Sequence, residues 1–203
     1  MKNRKGKILS VLGLLFLLMA AGLALYNVIV SEKAGEVSEE AVRVLEENIT
    51  NGMFFNDESP FFQTYTEMEM PRIELNGDYY VGVLEIPTLG LKLPIGDEWN
   101  ENLLTKSPCR YRGSVYEKDM IIAGHNYRSH FLYLRDIDIS SQVFFTDVDG
   151  NLFEYQVIGI ENVHGNDVEM MTQGEWDLTL FTCNYDGSKR FTVRCRLDSF
   201  NGE

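Results

Sequence analysis

An uncharged, largely apolar run occupies residues 8–30, with Lys2, Arg4, Lys5 and Lys7 before it and Glu32 as the next charge. As a helix the run would reach roughly 34 Å, enough to cross a hydrocarbon core of about 30 Å. The basic flank predicts a cytoplasmic N-terminus and export of everything that follows. A cleaved signal peptide is the rival reading, because Gly22-Leu23-Ala24 offers small residues around a cut. The run is long for the apolar stretch of a signal, which favours an anchor. No second apolar run of that length follows, so at most one membrane crossing is expected.

Beyond the run the pattern changes twice. Val37, Ala41, Val44, Leu45 and Ile49 recur at helical spacing among Glu39, Glu40, Glu46 and Glu47, and Asn51-Gly52 reads as the stop. This predicts an amphipathic juxtamembrane helix. Residues 56–76 hold no period, broken by Ser59-Pro60-Phe61-Phe62 and Met70-Pro71. From Asp78 the pattern is that of strands, over residues 79–86, 89–95, 119–123, 143–146, 152–160, 178–182 and 191–197. Asp149-Gly150 and Asp186-Gly187 mark tight turns between neighbouring strands. Only residues 131–134 suggest a further helical turn. Many short strands with turn punctuation imply an all-β fold, a closed or nearly closed barrel. The organisation is then 1–30 as basic tip and anchor, 31–76 as juxtamembrane helix and linker, and 77–203 as the β domain.

Composition narrows what that domain meets. Net charge is −13, but four of the 18 basic residues precede the apolar run, leaving 14 bases against 31 acids, or −17, beyond it. So acidic a domain argues against nucleic acid as a partner and supplies no polybasic patch for a membrane surface. Three cysteines, an odd number in an exported domain, argue against a disulfide framework and leave at least one free thiol. No Cys-x-x-Cys or His-Glu-x-x-His spacing points to zinc.

The thiols differ in their settings. Cys195 falls in the apolar set Phe191, Val193, Cys195 and Leu197 and reads as an inert core thiol. Cys109 lies in Ser107-Pro108-Cys109-Arg110, a loop with no strand to place it. Cys183 ends the strand that carries Thr179 and Phe181 on the same face, just before the turn. Arg190 begins the returning strand and can sit opposite it, whereas Arg194 is about 13 Å further along at strand rise. A fixed cation beside a thiol favours the nucleophilic thiolate, so Cys183 with Arg190 and a histidine would make a cysteine transpeptidase or hydrolase. Of His125, His130 and His164, only His125 shares with Cys183 the placement at the end of an apolar strand, after Met120-Ile121-Ile122-Ala123-Gly124. Parallel neighbouring strands would bring both to one rim, with Gly124 allowing close backbone approach and Asn126 free to orient the ring. His130 falls in the helical-turn segment and His164 in a polar loop over residues 161–167.

Taken together, Tyr80-Val81-Gly82-Val83-Leu84-Glu85-Ile86-Pro87, Leu91-Lys92-Leu93-Pro94-Ile95, Ala123-Gly124-His125, Thr179-Leu180-Phe181-Thr182-Cys183 and Arg190 make the chain resemble the sortases over residues 79–197. The resemblance implies a closed eight-stranded β-barrel with short helices, preceded by the transmembrane and juxtamembrane helices. It also implies an extracytoplasmic cysteine transpeptidase of a Gram-positive bacterium, held in the cell membrane by its N-terminal helix. Cys183 would attack the Thr–Gly bond of a Leu-Pro-x-Thr-Gly-like C-terminal sorting signal on a surface protein. His125 would protonate the leaving amine, and Arg190 would hold the substrate and stabilise the oxyanion. The acyl group would pass to an amine of a cell-wall precursor or a pilin lysine, and residues 161–177 would help to wall the groove.

Departures from the family pattern bear on the subclass. Calcium-binding class A enzymes use acids before the histidine strand, where residues 110–118 offer only Glu117, so neither calcium nor any other cofactor is expected. The interval 161–177 looks short for a class B helical insertion. A class C polymerase would carry a C-terminal membrane segment and an Asp-Pro-aromatic lid; Ser59-Pro60-Phe61 echoes that lid faintly and reads as linker. A class D-like anchoring enzyme fits best, with a pilin polymerase and a non-catalytic barrel that binds cell-wall proteins as the alternatives.

Overall fold

The computed structural model describes residues 2–55, 69–184 and 186–198. Helix α1 (Lys2–Phe55) runs unbroken through the apolar run and the amphipathic stretch. The helix is long and apolar enough to cross a membrane by length and composition, and its large side chains from Ile8 to Ile29 are exposed. The expected stop at Asn51-Gly52 does not operate: one interior glycine costs a helix only about 1 kcal/mol, and α1 continues to Phe55. Its docked face is Ala34, Ser38, Ala41, Val42, Leu45 and Ile49. Val37, expected on that face, is exposed, because the barrel meets the stripe turned toward Ser38 and Val42. The segment 56–68, which contains Ser59-Pro60-Phe61, lies outside the described residues.

The strands are β1 (Ile73–Leu75), β2 (Asp78–Ile86), β3 (Leu91–Gly96), β4 (Cys109–Arg112), β5 (Met120–Gly124), β6 (Gln142–Asp147), β7 (Leu152–His164), β8 (Leu178–Cys183) and β9 (Lys189–Leu197). Strands β2 to β9 close an eight-stranded barrel in the order β2-β3-β4-β5-β8-β9-β7-β6, with β6 returning to β2, while β1 adds a short hairpin on β2. Val81, Leu84, Ile86, Met120, Ile122, Phe145, Leu178, Leu180 and Val193 belong to the barrel's interior cluster. A second cluster joins Ala41, Val42 and Leu45 of α1 to Tyr80, Val83, Leu103, Leu104, Cys109 and Ala123. Strand β2 thus serves both clusters, which is why its sequence reads as nearly continuous apolar residues rather than as an alternation.

Two short helices escaped the sequence reading, α2 (Glu101–Leu104) and α3 (Val168–Thr172). Each is capped by a side chain: Asn100 Oδ1 accepts from Leu103 N (2.9 Å) and Asp167 Oδ1 from Met170 N (3.0 Å). They are too short to display a helical period. Strand β4 is a further correction, since it starts at Cys109, which was expected in a loop. Its four residues are held by pairing to β5 and by one parallel partner, Gly96, rather than by an alternation of their own.

Candidate active site

Three chain segments converge at one rim of the barrel. Strands β5 and β8 are parallel, with Gly124 level with Thr182, so the next residues along them are His125 and Cys183. Strands β8 and β9 are antiparallel, with Cys183 directly opposite Arg190. His125, Cys183 and Arg190 are each half-buried and all line a cavity of about 290 Å3. This is the juxtaposition expected from strand ends, and only the parallel register could produce it.

Each side chain has a local cause for its position. A Cβ at Gly124 would lie 2.5 Å from Phe131 Cδ2, so glycine there lets Phe131 pack directly behind the histidine. The His125 ring is stacked on Tyr127, centroids 4.7 Å apart at 29°. Tyr127 thus takes the place expected of Asn126, which lines a separate cavity against α1. Burial lowers the His125 pKa below the ordinary histidine value, and the Glu101 carboxylate opposes that shift. Arg190 Nη1 donates to the Gly187 carbonyl at 3.0 Å and more weakly to that of Lys189. Its Nε and Nη2 have no partner among the described residues. A Cβ at Gly165 would lie 3.2 Å from Arg190 Nη1, so the bare glycine backbone gives the guanidinium its bed.

The other candidates fall elsewhere. Burial pushes the thiols of Cys109 and Cys195 up to about 12, so neither supplies thiolate at neutral pH. His130 is fully buried, donates from Nε2 to the Lys106 carbonyl (3.2 Å), and is driven by burial to a pKa of about 4. His164, expected in a loop, ends the long strand β7 opposite Lys189 and also lines the cavity. It lies two strands from Cys183 in the sheet order, whereas His125 lies one strand away.

Besides His164, the walls include residues the sequence did not single out. Trp99, Glu101, Leu104 and Tyr111 line one side, and His164, Gly165, Asp167, Val168 and Met171 line another. The second group falls within the interval expected to wall a groove. Arg194, dismissed from sequence as a partner for Cys183, is buried at 2% exposure beneath that wall. Its guanidinium donates to Glu161 Oε1 (2.7 Å), Thr179 Oγ1 (3.0 Å), and the carbonyls of Met170 (2.6 Å) and Met171 (2.9 Å). A cation thus clamps the C-terminal half of α3, where free carbonyls gather. Among the described residues no three His, Cys, Asp or Glu side chains form a group able to hold a metal ion.

A family model for the sortase domain matches residues 84–198, from the first barrel strand to the residue after β9. The chain belongs to the sortase family. It is therefore a cysteine transpeptidase by family, and its fold is that of solved sortases. A sortase D5 transpeptidase of Clostridium perfringens superimposes with a TM-score of 0.60 at 17% identity, covering 81% of this chain and 99% of that one. Sortase C of Streptococcus pneumoniae gives 0.56 at 22% identity, covering 81% and 97%. Sortase A of Corynebacterium diphtheriae gives 0.54 at 19% identity, covering 91% and 97%. At such identities the likeness is one of fold. No curated protein matches the chain.

Proposed function

We propose that this sortase is anchored in the cell membrane by residues 8–30, N-terminus in the cytoplasm, and works on the outer side as a class D-like anchoring enzyme. Its substrates are surface proteins with a Leu-Pro-x-Thr-Gly-like C-terminal signal, cleaved between Thr and Gly. Cys183 Sγ attacks the threonine carbonyl carbon while neutral His125 takes the thiol proton. Arg190 donates to the oxyanion that develops. The carbonyl reforms as the C–N bond breaks, and His125 returns its proton to the departing glycine amine, leaving a thioacyl group on Cys183. An amine of a cell-wall precursor then attacks the thioester, His125 takes its extra proton, and the thiolate leaves and is reprotonated. The cycle uses no cofactor.

The observation that carries this reading is the pair of registers, Gly124 with Thr182 and Cys183 with Arg190, around one cavity. The test is trapping of a sorting peptide on the enzyme, followed by mass spectrometry. The wild type should show an adduct on Cys183 and release the glycine fragment; Cys183→Ala should show neither. His125→Ala should be as inactive, while His164→Ala should keep most of its turnover. Cleavage by Cys183→Ala at the wild-type rate would remove the nucleophile assignment. The Streptococcus pneumoniae sortase C is described in terms of pilin substrate specificity. The same chemistry with a pilin lysine as acceptor would instead give covalent ladders of pilin subunits.

A further inference from the structure

Helix α1 lays the segment that follows His125 against the first turn beyond its own apolar run. The Arg128 backbone N–H donates to Ser31 Oγ (3.2 Å), and Ser129 Oγ donates to the Ser31 carbonyl (2.9 Å). Gly35 fits so closely that a Cβ there would lie 3.2 Å from Ser129 Cβ. Between helix and barrel runs a groove of about 990 Å3, lined from Tyr26 to Glu39 on the helix and from Asn126 to Tyr133 on the barrel side. Ser31 is the first residue after the apolar run, and Tyr26 lies inside it.

Height along a helix is set by its rise of about 1.5 Å per residue. With residues 8–30 in the hydrocarbon, the next turn and a half passes through a headgroup layer roughly 5–8 Å thick. The segment bonded to Ser31 therefore lies within that layer, and the Tyr26 end of the groove opens toward the acyl boundary. The side chains suit it. Tyr26, Tyr127 and Tyr133 are amphipathic rings of the kind that gather at membrane interfaces. Arg128 is exposed, and its guanidinium has no partner among the described residues. Glu32, Glu36 and Glu39 line the groove at successive steps away from the bilayer.

We propose that Tyr26, Tyr127, Arg128 and Tyr133 form a membrane-contact surface that takes phospholipid headgroups, phosphate toward Arg128 and ammonium group toward Glu32 and Glu36. The barrel then lies on the leaflet with the His125 side of its active-site rim at the membrane, instead of standing off on a stalk. This rests on the reading of residues 8–30 as the anchor.

The test uses the full chain carrying Tyr133→Trp in vesicles of phosphatidylcholine and phosphatidylethanolamine. Part of the lipid bears a spin label either near the headgroup or near the end of the acyl chain. The parent protein, with Trp99 and Trp176, supplies the baseline emission. The added indole should be quenched strongly by the shallow label and less by the deep one. Gly35→Leu in the same background should wedge the segment away and abolish the extra quenching. Leu132→Trp, which lines the same groove and takes no part in binding the headgroup, reports the same contact should Tyr133→Trp not fold. Co-sedimentation with vesicles without extra quenching would overturn the contact surface and leave the anchor standing. Failure to co-sediment would overturn both.

Discussion

At the scale of single residues, the site depends on which protons move near neutral pH. Cys109 and Cys195 hold theirs because burial leaves a thiolate there without solvation. His125 is pushed below the ordinary histidine value of 6.5 by burial, against the pull of Glu101. A base must be unprotonated to accept the thiol proton, so the acid limb of kcat/KM should fall below pH 6.5. Glu101→Gln removes a charge that favours the imidazolium, so the limb should move to still lower pH. The shift should stay under about one unit, because an exposed pair is worth at most about 1 kcal/mol. A pH–rate profile for the two proteins checks this, and a shift toward higher pH would contradict the assignment. The placement of His125 beside Cys183 at one rim was legible in the sequence because it follows an apolar strand as Cys183 ends one. Glu101 was not legible: it acts across space from a four-residue helix, and nothing in its local pattern points to the histidine.

At the scale of elements, strands with an apolar run or an alternation of five residues or more were readable, and shorter strands and short helices were not. Strands β5 and β8 announced themselves by apolar runs ending in a polar residue, which also marked both active-site candidates. Strand β4 and helices α2 and α3 are too short for a period and are held by partners distant in sequence. Arg194 illustrates the difference. On the sequence it is one of three arginines on a strand face; in the fold it alone is buried and clamps α3 to β8 and Glu161. Arg194→Met should free the cavity wall and leave two carbonyls without a charged donor. A loss of about 2 kcal/mol or more in denaturant unfolding is expected, since hydrogen bonds to a charged group contribute about 1.5–3 kcal/mol each. The rise in KM for a sorting peptide should exceed the fall in kcat, because the change loosens a wall and leaves the reacting groups in place. A drop confined to kcat would place Arg194 in the chemistry instead.

At the scale of the whole molecule, the long helix α1 and the barrel share a core. Leu45 is fully buried in the cluster with Tyr80, Val83, Leu103, Leu104, Cys109 and Ala123. Leu45→Ala should cost about 2–5 kcal/mol of the barrel's stability, measured by denaturation of the full chain in micelles. A change near zero would mean that the helix adds nothing to the domain. The sequence by itself determined the apolar run, seven of the nine described strands, the turn positions and which thiol ends a strand, because periodicity and composition are properties of neighbouring residues. Only the tertiary structure decided that β5 lies parallel beside β8, that Arg194 is buried, and which stripe of α1 faces the barrel. Those depend on pairing and packing between segments tens of residues apart. A local pattern can nominate such contacts, but the closure of the barrel selects them.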